Sequence, residues 1–184
     1  MALGSLWLPV LASAIAVWFL SSITHMVLKY HKADYRGLPN EEGASAALHG
    51  TPVGHYFLPY CPDYSQLKDP AVQKKFQDGP IALITVMPSG SPTMGKPLTL
   101  WLLYCLLVSF VVGYIARHTL NPASAGLEVM RITGTGAFLA YGVGAIPSSI
   151  WAGLPWGNTF RTLFDALLYA AATGLVFRYL WPAG

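Results

Sequence analysis

An all-α integral membrane protein is the fold class this sequence predicts, on three observations. Apolar residues make up 54% of the 184 and charged residues only 10%, against roughly 25% charged in soluble domains. The few charges are unevenly spread, so that four long stretches carry almost none. Trp7, Trp101, Trp151, Trp156 and Trp181 fall at or near the ends of those stretches, where indole rings favour the membrane interface. The same figures exclude other classes. Two cysteines cannot staple a disulfide-rich scaffold, and a net charge of +3 is too small and scattered for a nucleic-acid binder.

The first helix is expected over residues 6–28, which contain no Asp, Glu, Lys or Arg. At about 1.5 Å per residue it crosses the roughly 30 Å hydrocarbon layer. A cleaved signal peptide is the competing reading. It is disfavoured because the first five residues carry no Lys or Arg, and because the apolar run exceeds the usual length. Further helices are expected over residues 98–116, 132–152 and 159–181. Pro97 precedes the second of these, at a point where its missing N–H is not needed.

The connection over residues 29–97 is a long extramembrane loop, and it is not low-complexity linker. Asn40-Glu41-Glu42 can cap a short helix ending at Leu48. Asp69-Pro70 reads as the cap and first position of another, stopped by Gly79-Pro80. Residues 54–64 are rich in aromatics and proline, and suggest a cap on the helix ends. Residues 81–87 are apolar but too short to span as a helix, leaving a strand, a re-entrant piece or a surface segment open.

Four spans put both termini on one side of a cell (inner) membrane. Lys29, Lys32, Arg36, Lys96 and Arg161 flank the long-loop side, against Arg117, Arg131 and Arg178 on the other. The positive-inside rule then places the long loop in the cytoplasm.

Apolar side chains gain little by associating in lipid, so close backbone approach must hold the helices together. The third span offers the stripe Gly136, Ala140 and Gly144, and the fourth offers Ala166, Ala170 and Gly174. A short turn joins these spans, so the stripes are expected to face each other. Pro147 should kink the third span.

Ionisable groups within spans are expensive and therefore candidates for function. Asp165 lies about two turns into the fourth span, with Arg161 and Asn158 earlier on the same face. His25 lies one turn from the loop-side end of the first span. With Ser148 and Ser149 at the same depth, these residues form a polar intramembrane cluster: His25, Ser148, Ser149, Asn158, Arg161 and Asp165. A structural role would make Arg161 and Asp165 an intrahelical ion pair. His118 ends the second helix on the terminal side, too far from His25 for a two-histidine haem site.

No metal site is expected, because His49, His55, Cys61 and Asp63 fit no standard zinc spacing. A disulfide between Cys61 and Cys105 is not expected either. The stretch Ser89–Lys96 lacks the P-loop arrangement, since Pro97 follows the lysine. No catalytic signature is present, which favours a non-enzymatic role.

Three groups of residues carry a resemblance: the Trp7-Leu8-Pro9 opening, Met87-Pro88-Ser89-Gly90 before the second helix, and Ser148-Ser149-Ile150-Trp151 with Pro155-Trp156 before the fourth. On these the chain resembles a family of small, uncharacterised bacterial four-helix integral membrane proteins. The resemblance implies a bacterial membrane origin and transfers no assigned activity.

The leading functional expectation is a non-enzymatic membrane subunit or scaffold, with the lipid bilayer and other membrane protein subunits as partners. The rival is a small transporter or proton-coupled channel built on His25, Arg161 and Asp165. A third reading is a pigment- or haem-binding subunit with His25 as ligand to a haem- or chlorophyll-type metal. No other cofactor is expected.

Overall fold

A computed structural model describes residues 3–182. Helix α1 (Trp7–Ser22) runs on into a π-helical turn over Ile23–Val27, and a 3-10 segment follows at Lys29–Asp34. Next come α2 (Glu41–Leu48), β1 (Gly54–Leu58), α3 (Pro70–Asp78) and β2 (Ala82–Val86). The chain continues with α4 (Gly95–Thr119), α5 (Gly126–Tyr141), α6 (Ile146–Trp151) and α7 (Trp156–Leu180). It divides into two compact units, one of residues up to Arg36 and from Thr93 onward, the other Gly37–Pro92. The long connection, expected as a loop of a single domain, therefore forms over most of its length a compact unit of its own.

In the first unit, four helical stretches are long and apolar enough to cross a membrane: Gly4–Val27, Gly95–Thr119, Gly126–Trp151 and Trp156–Leu180. The all-α membrane class read from the sequence is the observed one. Exposed Leu107, Phe160 and Leu167 on the outer faces are the surface such helices present to lipid. Helices α1 and α5 each pack on both α4 and α7, so every span has two neighbours. The interior holds two small clusters: Val108, Val112, Val129, Ala137, Ala170 and Phe177 in one, and Ala14, Val17, Cys105 and Tyr169 in the other.

The third span departs from expectation in two ways. Its break falls at Gly142 and a 3-10 turn over Val143–Ala145, a turn ahead of Pro147, which sits in the first turn of α6. A proline inside a helix removes its own N–H and clashes with the carbonyl four residues earlier. The disruption therefore lands on the preceding turn, where Gly142 offers no side chain to hold it.

The packing face differs as well. Gly136 lies against Val112 of α4, Ala140 is exposed, and Gly144 meets open space. The close approach to α7 is made instead by Gly134 against the Ala170 carbonyl and by Gly142 against Ala166. From α7, Gly174 meets Met130 and Gly134. The fourth-span stripe is thus used, but its partner stripe is offset by two residues from the one expected.

In the second unit, β1 and β2 pair antiparallel with Gly54 opposite Val86 and Leu58 opposite Ala82. Residues 81–87, left open by the sequence, contain strand β2. The Asn40 and Asp69 side chains cap α2 and α3 by accepting from Gly43 N at 2.9 Å and Ala71 N at 2.8 Å.

Candidate functional site

Residues six apart on an α-helix lie about 9 Å apart along the axis and point in different directions. Nevertheless the rings of His25 and His31 stack, with centroids 4.2 Å apart and planes 10° from parallel. Two local features bring this about. The π turn over Ile23–Val27 closes with Leu28 N–H donating to Ile23 O at 2.9 Å, and π turns recur at functional sites. Leu28 itself is extended (φ −82°, ψ 114°), so the 3-10 segment behind it turns back toward the helix end.

That segment and α7 build a chain of alternating charge. Arg161 Nε donates to Asp34 Oδ1 at 2.6 Å, and Asp34 Oδ2 lies 2.6 Å from His31 Nδ1. His31 Nε2 in turn lies 2.7 Å from Asp165 Oδ2. Each nitrogen of His31 faces a carboxylate, and an imidazole meets two carboxylates favourably only by donating from both nitrogens. Burial alone would lower the His31 pKa, but its hydrogen bonds to Asp34 and Asp165 outweigh burial and raise it. Burial would likewise raise Asp34, and the hydrogen bonds from His31 and Arg161 hold it below the usual carboxylate range.

Tyr30 donates to the second Asp165 oxygen. Its burial, together with that carboxylate, pushes its phenol up to about 12. Asn158 braces the arrangement by donating to Asp34 O at 3.1 Å and accepting from Arg161 at 3.0 Å.

His25 joins from the other side. Its Nε2 is 3.8 Å from Asp165 Oδ2, and its side chain is 50% exposed while Asp165 is 4% exposed. His25 Nδ1 lies 3.1 Å from the Ser21 carbonyl, an acceptor only, so the contact places a proton on Nδ1. Thr24, fully buried, links His25 Nδ1 at 3.0 Å to the Tyr169 hydroxyl at 2.9 Å. One donor atom from each of His25, His31 and Asp165 lies within 4.8 Å of the others, close enough to share a metal ion.

The six residues expected to cluster therefore part company. His25, Asn158, Arg161 and Asp165 come together. Arg161 pairs with Asp34, and not with Asp165 as the intrahelical reading supposed. Ser149 instead pairs with Thr159 on α7, and Ser148 is exposed. Tyr30, His31 and Asp34 were not anticipated. The signal available for them was the His25-x5-His31-x2-Asp34 spacing directly after an apolar span. In the second unit, His55 contacts Thr85 and Cys61 donates to Asp63 O. Both cysteines are free.

Inward from the cluster, α7 presents buried Asp165, Tyr169 and Thr173 at four-residue intervals, a polar face about 12 Å long. Nearby, buried Ser13 donates to Ser109 across α1 and α4 at 3.0 Å. The buried oxygens of Thr173 and Tyr141 make no hydrogen bond among the described residues. One turn beyond Thr173, fully buried Phe177 packs with Val112 and Val129.

Comparison of the chain with protein-family profiles, with curated proteins and with solved structures returned no match.

Proposed function

We propose that this multi-pass membrane protein is a small transporter that admits a cation at the His25–Asp165 cluster and passes it along the buried hydroxyl face of α7. The observation that carries this reading is the unbroken series Asp165, Tyr169 and Thr173 facing the interior. Lipid offers no hydrogen bonds to such groups, and a buried hydroxyl left unpaired costs about 1–3 kcal/mol. Packing alone calls for no buried carboxylate in line with two hydroxyls on one helix face. Half-exposed His25 gives an entrance, and Phe177 with its valine neighbours supports a closed far end.

The scaffold expectation gives the cluster a structural role but none to a half-exposed histidine set beside a buried carboxylate, and for that reason is not the reading adopted. The pigment reading is disfavoured by geometry. His25 Nε2 points at Asp165 across 3.8 Å, a gap too narrow for a macrocycle lying across the imidazole nitrogen.

Purified protein reconstituted in vesicles should pass a cation from a panel of monovalent and divalent ions, and Asp165→Asn should abolish the flux. Absence of flux in the wild type, or unchanged flux in the variant, overturns this reading.

A further inference from the structure

We infer that His25 Nε2, His31 Nε2 and Asp165 Oδ2 form a binding site for a divalent transition-metal ion of the zinc class, and that this ion is the transported cargo. The cargo half of the inference rests on the transport reading above, and the binding half does not.

Four observations carry it. The donors come from three separate places in the chain, the π turn, the reversed 3-10 segment and α7, and converge within 4.8 Å. The Nε2–Oδ2 separations of 2.7 and 3.8 Å bracket the roughly 3.3 Å edge of a tetrahedron with zinc-like bonds of about 2.0–2.1 Å, and one of the two stacked rings must turn out of parallel for both Nε2 lone pairs to meet the same ion. Both Nδ1 atoms are engaged elsewhere, His25 with the Ser21 carbonyl and His31 with the Asp34 carboxylate. That is the outer-shell pattern that fixes the orientation of a metal-bound histidine; His25 Nε2 is left for the ion, and at His31 the ion takes the place of the proton that Nε2 shares with Asp165. Lastly, Arg161 offsets Asp34, so once His31 gives up its Nε2 proton the charge of Asp165 is left for the dication.

The ligand chemistry selects among cations. Two imidazoles and one carboxylate suit zinc and its neighbours, whereas calcium and magnesium take oxygen ligands. As the His31 Nε2–metal bond forms, the proton on that nitrogen leaves to solvent. Three protein ligands leave a coordination position open. A groove of about 280 Å³ lined by Ser21, Ser22, His25, Met26 and Trp101 gives that side of His25 access from outside. A site with an open coordination position and one half-exposed ligand fits an ion that must leave again.

The test uses full-length, tag-free protein in detergent, stripped with a chelator and titrated with Zn²⁺. One Zn²⁺ should bind per chain. His25→Gln and His31→Gln should each weaken binding by more than about 10-fold, and Asp34→Asn, an outer-shell change, by about 10–100-fold. His118→Gln, at the far end of α4, should leave affinity unchanged. Co²⁺ in place of Zn²⁺ should give visible ligand-field bands that His31→Gln abolishes. Wild-type binding no tighter than that of the His25→Gln/His31→Gln double variant overturns the inference. Zn²⁺ binding without Zn²⁺ uptake into vesicles overturns the cargo assignment and leaves the metal site standing. Flux of another cation without Zn²⁺ binding does the reverse, sustaining transport and removing the site.

Discussion

Arg161 and Lys74 each pair with an aspartate, but the two pairs sit in different surroundings. Lys74 meets Asp78 one helical turn away at 3.0 Å, with both side chains mostly exposed. Such surface pairs contribute about 0–1 kcal/mol. Arg161 and Asp34 are mostly withdrawn from solvent, and Asp34 is also shared with His31. Removing the guanidinium leaves a partly buried carboxylate one partner short, so Arg161→Gln should destabilise the protein by about 1–3 kcal/mol. Lys74→Gln should change stability by less than about 1 kcal/mol. Thermal unfolding in detergent, followed by circular dichroism, compares the two directly.

Much of this site was legible one residue at a time. Asp165 and His25 stand out because an ionisable group in an apolar run is costly. His31 and Asp34 do not, because behind Leu28 they look like ordinary polar residues at a membrane surface. Their role depends on the π turn and the reversed segment, and neither leaves a mark in hydrophobic periodicity. The partner of Arg161 was hidden for the same reason. Four residues of spacing made Asp165 the obvious choice, while Asp34, 127 positions away, is the one in contact.

At the scale of elements, the α5–α7 contact depends on absent side chains. A Cβ added at Gly174 would come within 3.0 Å of the Met130 carbonyl oxygen, and one at Gly142 within 2.6 Å of the Ala166 Cβ. Neither neighbour is the free end of a flexible chain, so the helices would have to separate. Gly174→Ala and Gly142→Ala should each destabilise by about 1–3 kcal/mol, the usual cost of overpacking. Gly144→Ala, with nothing within 4 Å, should be neutral. Unfolding midpoints of the three variants in one detergent test the offset between expected and observed stripes.

Small residues at four-residue spacing mark a face that can pack. They do not say which of two nearby faces will, because Gly134, Gly136, Gly142 and Gly144 all qualify by composition. Strand β2 shows the same limit, since its partner β1 lies well before it in the chain and no local pattern announces the pairing.

For the whole molecule, the four spans were readable because lipid imposes length and apolarity on any segment that crosses it. Sidedness is a separate question, governed by a small excess of positive charge. We propose the cytoplasmic placement of the unit Gly37–Pro92 on that excess. Cys61 lies in this unit and Cys105 is buried in α4, which makes the pair a natural reporter. A membrane-impermeant maleimide should label Cys61 in inside-out vesicles and leave it unmodified in right-side-out ones. The opposite pattern would invert the topology.

The extended residue Leu28 has a mechanical consequence. His25 belongs to the rigid rod and His31 to a strap that doubles back over its end, with one residue as the pivot between them. Rotation about the Leu28 ψ bond lifts the strap without disturbing the Leu28 N–H bond to Ile23, so the rod stays whole. What resists the motion is the latch on α7, formed by Arg161, Asn158 and Asp165. The two imidazoles can therefore part by unlatching one short strap, while the membrane-crossing rods keep their seats.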